Sequence, residues 1–246
     1  MQGLTGKAAL VTGGSRGIGA AIARRLASEG ADVAITFVKG ADKARAVVEE
    51  IESLGRRGLA IEADSADARA TARAVDRAAD AFGRLDILVN NAGIFLYGPP
   101  EEVTVEDIDR ILAIHVRSVF VASQAALKHM REGGRIVSIG SCFAQRVPAA
   151  GVTLYSMSKS TLIGFTKGLA RDVGGRGITV NVVDPGPTDT DMNPADGPNA
   201  EEERKQIPLG QYGRPEDVAA MVAFLAGEGG RFVTGASFAV DGGINA

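Results

Sequence analysis

The sequence predicts a doubly wound α/β sheet in a single domain. Short apolar runs that read as strands alternate with segments of helical periodicity along the whole chain. The first run, Ala8 to Thr12, is apolar without alternation until it ends, as a parallel strand covered on both faces requires. It leads straight into a glycine-rich turn, Gly13-Gly14-Ser15-Arg16-Gly17-Ile18-Gly19, and then into a helix. Strand, glycine turn and helix in that order make the start of a βαβ nucleotide site, where the backbone can approach a pyrophosphate and the helix N-terminus favours its charge.

The bulk numbers narrow the field. The chain has 246 residues, 45% hydrophobic and 23% charged, which suits one large domain spanning 1–246. No linker, internal repeat or second domain is visible. Net charge is −3 with no lysine- or arginine-rich run, so neither a nucleic-acid nor a membrane partner is expected. Cys142 is the single cysteine and cannot form an internal disulfide, which suits a reducing compartment. His115 and His129 stand apart, so no metal site is expected. The longest apolar run, Val218 to Ala226, has nine residues, against roughly 18 for a spanning helix. With no secretory leader in view, a cytoplasmic location is expected.

Taken in order, Ala20 to Glu29 carries Ile22, Ala23 and Leu26 at helical spacing, and Gly30 ends it. Asp32 to Val38 alternates into a second strand. An acid near the end of this strand commonly holds the adenosine ribose hydroxyls of a dinucleotide. Here that place reads Thr36-Phe37-Val38-Lys39. Lys39 and Arg16 either converge on a 2′-phosphate or stand as solvated charges. Ala41 to Leu54 is an amphipathic helix with Val47, Val48, Ile51 and Leu54 on one stripe. Gly58 to Ala63 is a third strand. Asp64-Ser65 at its end either touch an adenine amino group or begin a turn.

Asp67 to Phe82 is a third helix, and Leu85 to Asn90 a fourth strand that meets Asn91-Ala92-Gly93. Thr104 starts a long helix to roughly Met130, with His115 near its middle. Gly134 to Gly140 is a fifth strand with Ser141 at its C-terminal end, the edge where open parallel sheets bind ligands. Tyr155 opens a helix to about Val173, and Gly177 to Val183 is a sixth strand ending in Asp184-Pro185-Gly186-Pro187-Thr188. Asp189 to Ile207 is polar and acidic, either a flap over a substrate (about 189–207) or a plain surface loop. Pro215 to Leu225 is a helix and Ala236 to Val240 the last strand.

Chemistry concentrates at Tyr155-Ser156-Met157-Ser158-Lys159. Four residues apart on a helix, Tyr155 and Lys159 share one face. A phenol ordinarily titrates near pH 10, and an ammonium one turn away favours its ionised form. The pair is a candidate general acid/base.

Together, Thr12 to Gly19, Asn90-Asn91-Ala92-Gly93, Ser141, Tyr155-x-x-x-Lys159 and Pro185-Gly186 resemble the short-chain dehydrogenase/reductase family, over nearly the whole chain from Lys7 to Gly243. Members similar to it include 3-oxoacyl-[acyl-carrier-protein] reductases and sugar or alcohol dehydrogenases. The resemblance implies a seven-stranded parallel Rossmann sheet in the order 3-2-1-4-5-6-7 and an enzyme that interconverts a carbonyl and a secondary alcohol by hydride transfer. Its cofactor would be NADP(H), with NAD(H) as the other option. Tyr155 would be the acid/base, Lys159 would hold the nicotinamide ribose and lower the Tyr155 pKa, and Ser141 would bond the substrate oxygen. Gly13, Ser15, Arg16, Gly17, Ile18, Gly19, Phe37, Lys39, Asp64, Ser65, Asn91, Ala92 and Gly93 would line the adenosine side of the cofactor. Pro185, Gly186, Thr188 and Thr190 would cradle its nicotinamide end.

One position departs from the family. An Asn that helps hold a relay water is replaced by His115, which either takes over the relay or is a buried, satisfied histidine. Phe95, Leu96, Tyr97, Phe143, Gln145 and Arg146 are candidates to line the pocket for a small carbonyl or alcohol. Lys128, Arg131 and Arg176 either dock an acidic acyl carrier protein or are surface charges. The family also implies a homotetramer, with a dimer as the fallback. Alternative functions on the same fold are an NAD-linked sugar or alcohol dehydrogenase and a non-catalytic NADP-binding regulator.

Overall fold

The computed structural model describes residues 3–147 and 149–246. Strands at Ala8–Val11 (β1), Asp32–Phe37 (β2), Gly58–Glu62 (β3), Ile87–Asn90 (β4), Arg135–Ile139 (β5), Thr179–Pro185 (β6) and Ser237–Val240 (β7) pair in parallel throughout. They form one sheet in the order β3-β2-β1-β4-β5-β6-β7. The order reverses between β1 and β4, which opens a crevice at their C-terminal ends.

Helices cover both faces. α1 (Gly17–Ser28), α2 (Ala41–Ser53) and α8 (Pro215–Ala226) pack on one side, with Ala9 and Val11 of β1 pointing at them. On the other side lie α3 (Ala68–Phe82), α5 (Ser118–Ala126) and α6 (Thr153–Val173), which receive Ala8 and Leu10. The alternation of β1 thus feeds two apolar layers, and each fully buried Leu or Ile contributes about 1.5–3 kcal/mol.

Three differences from the sequence reading have physical causes. The helix expected from Thr104 to Met130 is a run with a wider turn inside it. α4 (Val105–Leu112) starts on a Thr104–Asp107 capping box, Ala113–Arg117 form a π-helical turn, and α5 ends at Ala126. A π turn inserts one extra residue without changing the apolar pattern enough to show in sequence. Leu54 is not on the buried stripe of α2. It lies past the helix end and is 49% exposed. The segment 189–207 contains a short helix, α7 (Ala200–Gln206). It is folded onto itself by Asn193 and Tyr212, both donating to Glu203 at 2.9 and 2.7 Å.

Candidate functional site

Local geometry builds the glycine turn first. Gly17 sits at φ 52°, in the left-handed region where glycine is at ease. A Cβ on Gly19 would lie 2.4 Å from both the Gly13 carbonyl and Asn91 Nδ2, so close packing demands glycine there. Thr36 anchors the turn to β2, its hydroxyl accepting from Gly13 N–H at 3.0 Å and its carbonyl from Gly14 N–H at 2.9 Å. The N-terminus of α1 carries no side-chain cap and no acid in its first turn. Its free N–H groups therefore suit an anion. Ile18 packs into the core, while Ser15 is half-buried on the turn.

Asn91 and Ala92 close the turn from β4. Asn91 donates through Nδ2 to the carbonyls of Thr12 (2.9 Å) and Gly13 (3.0 Å). The Thr12 hydroxyl accepts from the N–H groups of Asn91 (2.9 Å) and Ala92 (3.0 Å). Asn91 thus shapes the turn from behind. Asp64 begins its turn by accepting from Ala66 N–H at 2.8 Å; Ser65 beside it is half-buried. Phe37 closes β2 against the core.

The reactive groups meet at the C-terminal edge of β5 and β6. Ser141 follows β5; its Oγ accepts from Phe143 N–H at 3.2 Å, leaving the hydroxyl proton free to be directed elsewhere. The Tyr155 ring lies edge-on to Phe95 (centroids 4.9 Å), His115 (5.8 Å) and Phe143 (6.2 Å). Lys159 is buried, its Nζ donating to the Ile139 carbonyl at 2.8 Å and standing 5.9 Å from the Tyr155 ring centroid. Pro185 ends β6. Gly186 N–H donates to Val240 carbonyl at 3.0 Å, Thr188 Oγ1 donates to the Gly186 carbonyl at 2.9 Å, and the Thr190 methyl overhangs Gly17.

Electrostatics adds an effect that spacing does not show, burial of the phenol, which acts against the lowering expected from Lys159. Burial pushes the phenol up to about 12, while the Ser141 hydroxyl draws it back part of the way. Burial likewise takes Lys159 down to about 8, with Asp184 opposing. At neutral pH the phenol is therefore a held proton, and the lysine keeps its charge.

His115 is buried and hydrogen-bonded at both ring nitrogens. Its Nε2 accepts from Ile94 N–H at 3.0 Å, which places the proton on Nδ1, 2.8 Å from Ser158 Oγ. Ser158 passes the chain on by donating to the Tyr155 carbonyl at 2.7 Å. Both ring nitrogens are spent, and Gly93 has just enough room beside Nε2 and Lys159 Nζ (3.2 and 3.7 Å from a would-be Cβ). Burial, then the Lys159 charge, hold the imidazole pKa down at about 2. The folded state therefore binds fewer protons than the unfolded one between about pH 2 and 6.5, and stability falls as pH drops through that window. At about pH 4.5 the loss is about 2.7 kcal/mol. His115→Asn should flatten the acid limb of a melting-temperature profile while lowering the neutral melting temperature. A variant whose acid limb matches wild type would refute this.

Several signals escaped the sequence. Asp184, which reads there only as the residue that follows the sixth strand, is 1% exposed and accepts from Ser141 N–H at 3.1 Å and from the Ser237 hydroxyl. A lone acid ending a buried strand was the available clue. Other expectations do not assemble. Arg146 donates to the Ile244 carbonyl, tying the loop after β5 to the C-terminal segment. Arg176 donates to the carbonyls of Leu127 (2.7 Å) and Met130 (3.1 Å), closing the turn after α5. Lys128 and Arg131 line a crevice of about 500 Å³ with Arg84 and Asp86, at the opposite, N-terminal edge of the sheet.

Comparison with known proteins follows this geometry closely. The family model described as Enoyl-(Acyl carrier protein) reductase matches residues 13–245. A short-chain dehydrogenase from Burkholderia cenocepacia, solved in complex with NADP, is 63% identical over 99% of this chain and 100% of its own, with a TM-score of 0.98. This chain belongs to the short-chain dehydrogenase/reductase family. A blue fluorescent protein from a metagenomic library, solved with NADPH, is a further member-like structure at 59% identity, TM-score 0.98, covering 99% and 100% of the two chains. The cyclic-di-GMP-binding biofilm dispersal mediator protein of Escherichia coli is 46% identical over the full length of both chains. As in other members of this family, the chain is an oxidoreductase domain built on one Rossmann sheet. Among the described residues no helix is long and apolar enough to cross a membrane, and no acidic, cysteine or histidine group could hold a metal.

Proposed function

We propose that this protein is an NADP(H)-dependent reductase of small, largely apolar ketones, interconverting a carbonyl and a secondary alcohol. The observation that carries the reading is the meeting of Tyr155 with Ser141 and Lys159 at the C-terminal edge of the sheet, where burial favours the neutral phenol. When bound, the dinucleotide supplies or accepts the hydride. Tyr155 gives its proton to the developing alkoxide, and Ser141 holds the same oxygen. Lys159 keeps a positive charge near both. Phe95 and Phe143 wall the phenol, and Tyr97 packs over Gly151, which supports a flat apolar substrate over a sugar.

The chain's residues fit such a cofactor. The uncapped N-terminus of α1 and the glycine turn suit a pyrophosphate, with Thr190 at its rim. Phe37 in place of an acid removes the repulsion that a 2′-phosphate would meet, and Arg16 in the glycine turn is exposed. NADPH should bind more tightly than NADH, and Phe37→Asp should reverse the order. Equal dissociation constants in wild type would sink this reading of β2.

The decisive experiment follows NADPH oxidation against planar aromatic ketones, diketones, 3-oxoacyl thioesters and keto sugars. Turnover of the first two classes is expected. Tight NADPH binding with no turnover of any class would instead favour a non-catalytic regulator, a second reading supported by the likeness to the Escherichia coli dispersal protein. Calorimetry with cyclic di-GMP would then test it directly.

We also propose a homotetramer. Leu162 faces the protein's own core, but Phe165 meets Phe120 edge-to-face (centroids 6.0 Å), and Phe120 is 58% exposed on the outer face of α5. Such an apolar pair on a helix face suits a self-complementary contact. A monomer mass by light scattering at micromolar concentration would refute it.

A further inference from the structure

The first turn of α2 lies beside the glycine turn. Gly40 caps that helix with φ 78° and brings no side chain to its free N–H groups. Lys43 in this turn donates to Asp191 Oδ2 at 3.1 Å, and Arg16 Nη1 stands 3.7 Å from the same oxygen. Asp191 belongs to the segment after β6, next to Thr190, whose methyl rests over Gly17. Asp42, also in the turn, is taken up by Arg45 at 3.4 Å. Lys39 is exposed and, among the described residues, makes no ion pair. One oxygen anion, carried in from a distant part of the chain, therefore sits between two cations on separate elements. One of those cations, Lys43, belongs to the uncapped first turn of α2, shortly after β2 finishes.

That arrangement is what a 2′-phosphate would need, already filled by a carboxylate. We propose that Asp191 is a built-in competitor for the 2′-phosphate of NADP(H), and that Lys43, not Lys39, is Arg16's partner in holding that phosphate. The inference rests on the NADP(H) reading above. A phosphate monoester carries about −1.5 to −2 charge near neutral pH and presents three acceptor oxygens. It outcompetes a single carboxylate for Arg16 and Lys43. NADPH binding therefore releases Asp191 and the start of the 189–207 segment, whereas NADH, with free hydroxyls, leaves Asp191 latched. Both cations and Asp191 are half exposed or more, so the competition is modest and weakens with salt.

The test compares dissociation constants for NADPH and NADH, by cofactor fluorescence or calorimetry, in wild type, Asp191→Asn, Lys43→Gln and Lys39→Gln. Asp191→Asn keeps the shape and removes the charge. It should tighten NADPH about threefold to tenfold at low salt and leave NADH unchanged. Lys43→Gln should weaken NADPH about tenfold, and Lys39→Gln should leave it close to wild type. An NADPH constant that is unchanged or weaker in Asp191→Asn, in a wild type that still prefers NADPH, overturns the competitor role alone. An effect of Lys39→Gln as large as that of Lys43→Gln overturns the assignment of Lys43. A wild type that binds both cofactors equally overturns the NADP(H) reading itself.

Discussion

Tyr155→Phe should lose about two to four orders of magnitude in turnover while folding normally and binding NADPH as well as wild type. The loss corresponds to about 3–5 kcal/mol of transition-state stabilisation. It removes a proton donor and no charge, because burial holds the phenol up at about 12 and it is neutral at working pH. Packing survives, since the ring keeps its edge contacts with Phe95 and Phe143. The pH dependence of carbonyl reduction follows from the same groups. The protonated phenol is present at every pH up to its own pKa. Lys159, held down at about 8, is charged below that pH and loses its charge above it. The reduction rate should therefore be level from about pH 6 and fall as pH rises through about 8. Wild-type turnover in purified Tyr155→Phe, measured beside an unchanged NADPH constant, would remove Tyr155 from the chemistry.

Sequence periodicity carried the fold because parallel strands and their covering helices leave local patterns. Ala8 to Val11 is apolar on both faces, and Val47 and Ile51 recur at helical spacing. Tyr155 and Lys159 were legible for the same reason, being one turn apart on a single helix. What stayed hidden depends on contacts between distant segments. Lys43 and Asp191 are 148 residues apart, and nothing in either segment names the other. The π turn at 113–117 keeps the apolar pattern of an α-helix, so it could not be read, yet it is the turn that carries His115 to Ile94 and Ser158. Spacing shows the nearby ammonium and not the depth of burial, which is the largest influence on the Tyr155 pKa. Asp184 was passed over because its role exists only once β6 lies beside β5.

That last pairing makes Gly140→Ala a severe change. Gly140 follows β5 and is buried, with its N–H donating to the Val183 carbonyl at 2.7 Å. Its φ is not in the left-handed region, so space alone requires glycine. A Cβ there would lie 1.9 Å from Asp184 Oδ1 and 3.0 Å from Val182 Cγ2. Asp184 cannot yield cheaply. The same Oδ1 accepts from Ser141 N–H, and the other oxygen accepts from Ser237, so moving it strands a buried carboxylate and a buried amide. Leaving those two buried groups unsatisfied costs about 1–3 kcal/mol each, so about 2–6 kcal/mol together. In a chain of this length that is a fall in melting temperature of about 4–24 °C. The catalytic cost follows from position, since Ser141 is the next residue and an error of about 1 Å in a substrate-holding group can cost about a hundredfold in rate. Adding Asp184→Ala to Gly140→Ala removes the clash, so the pair of changes should cost less stability than the two single changes summed. The double variant should still turn over slowly, because nothing then anchors the Ser141 backbone. Thermal melts and steady-state rates of the three variants decide it: a Gly140→Ala protein as stable as wild type, or a strictly additive double variant, would show that Asp184 does not brace Ser141 through this contact.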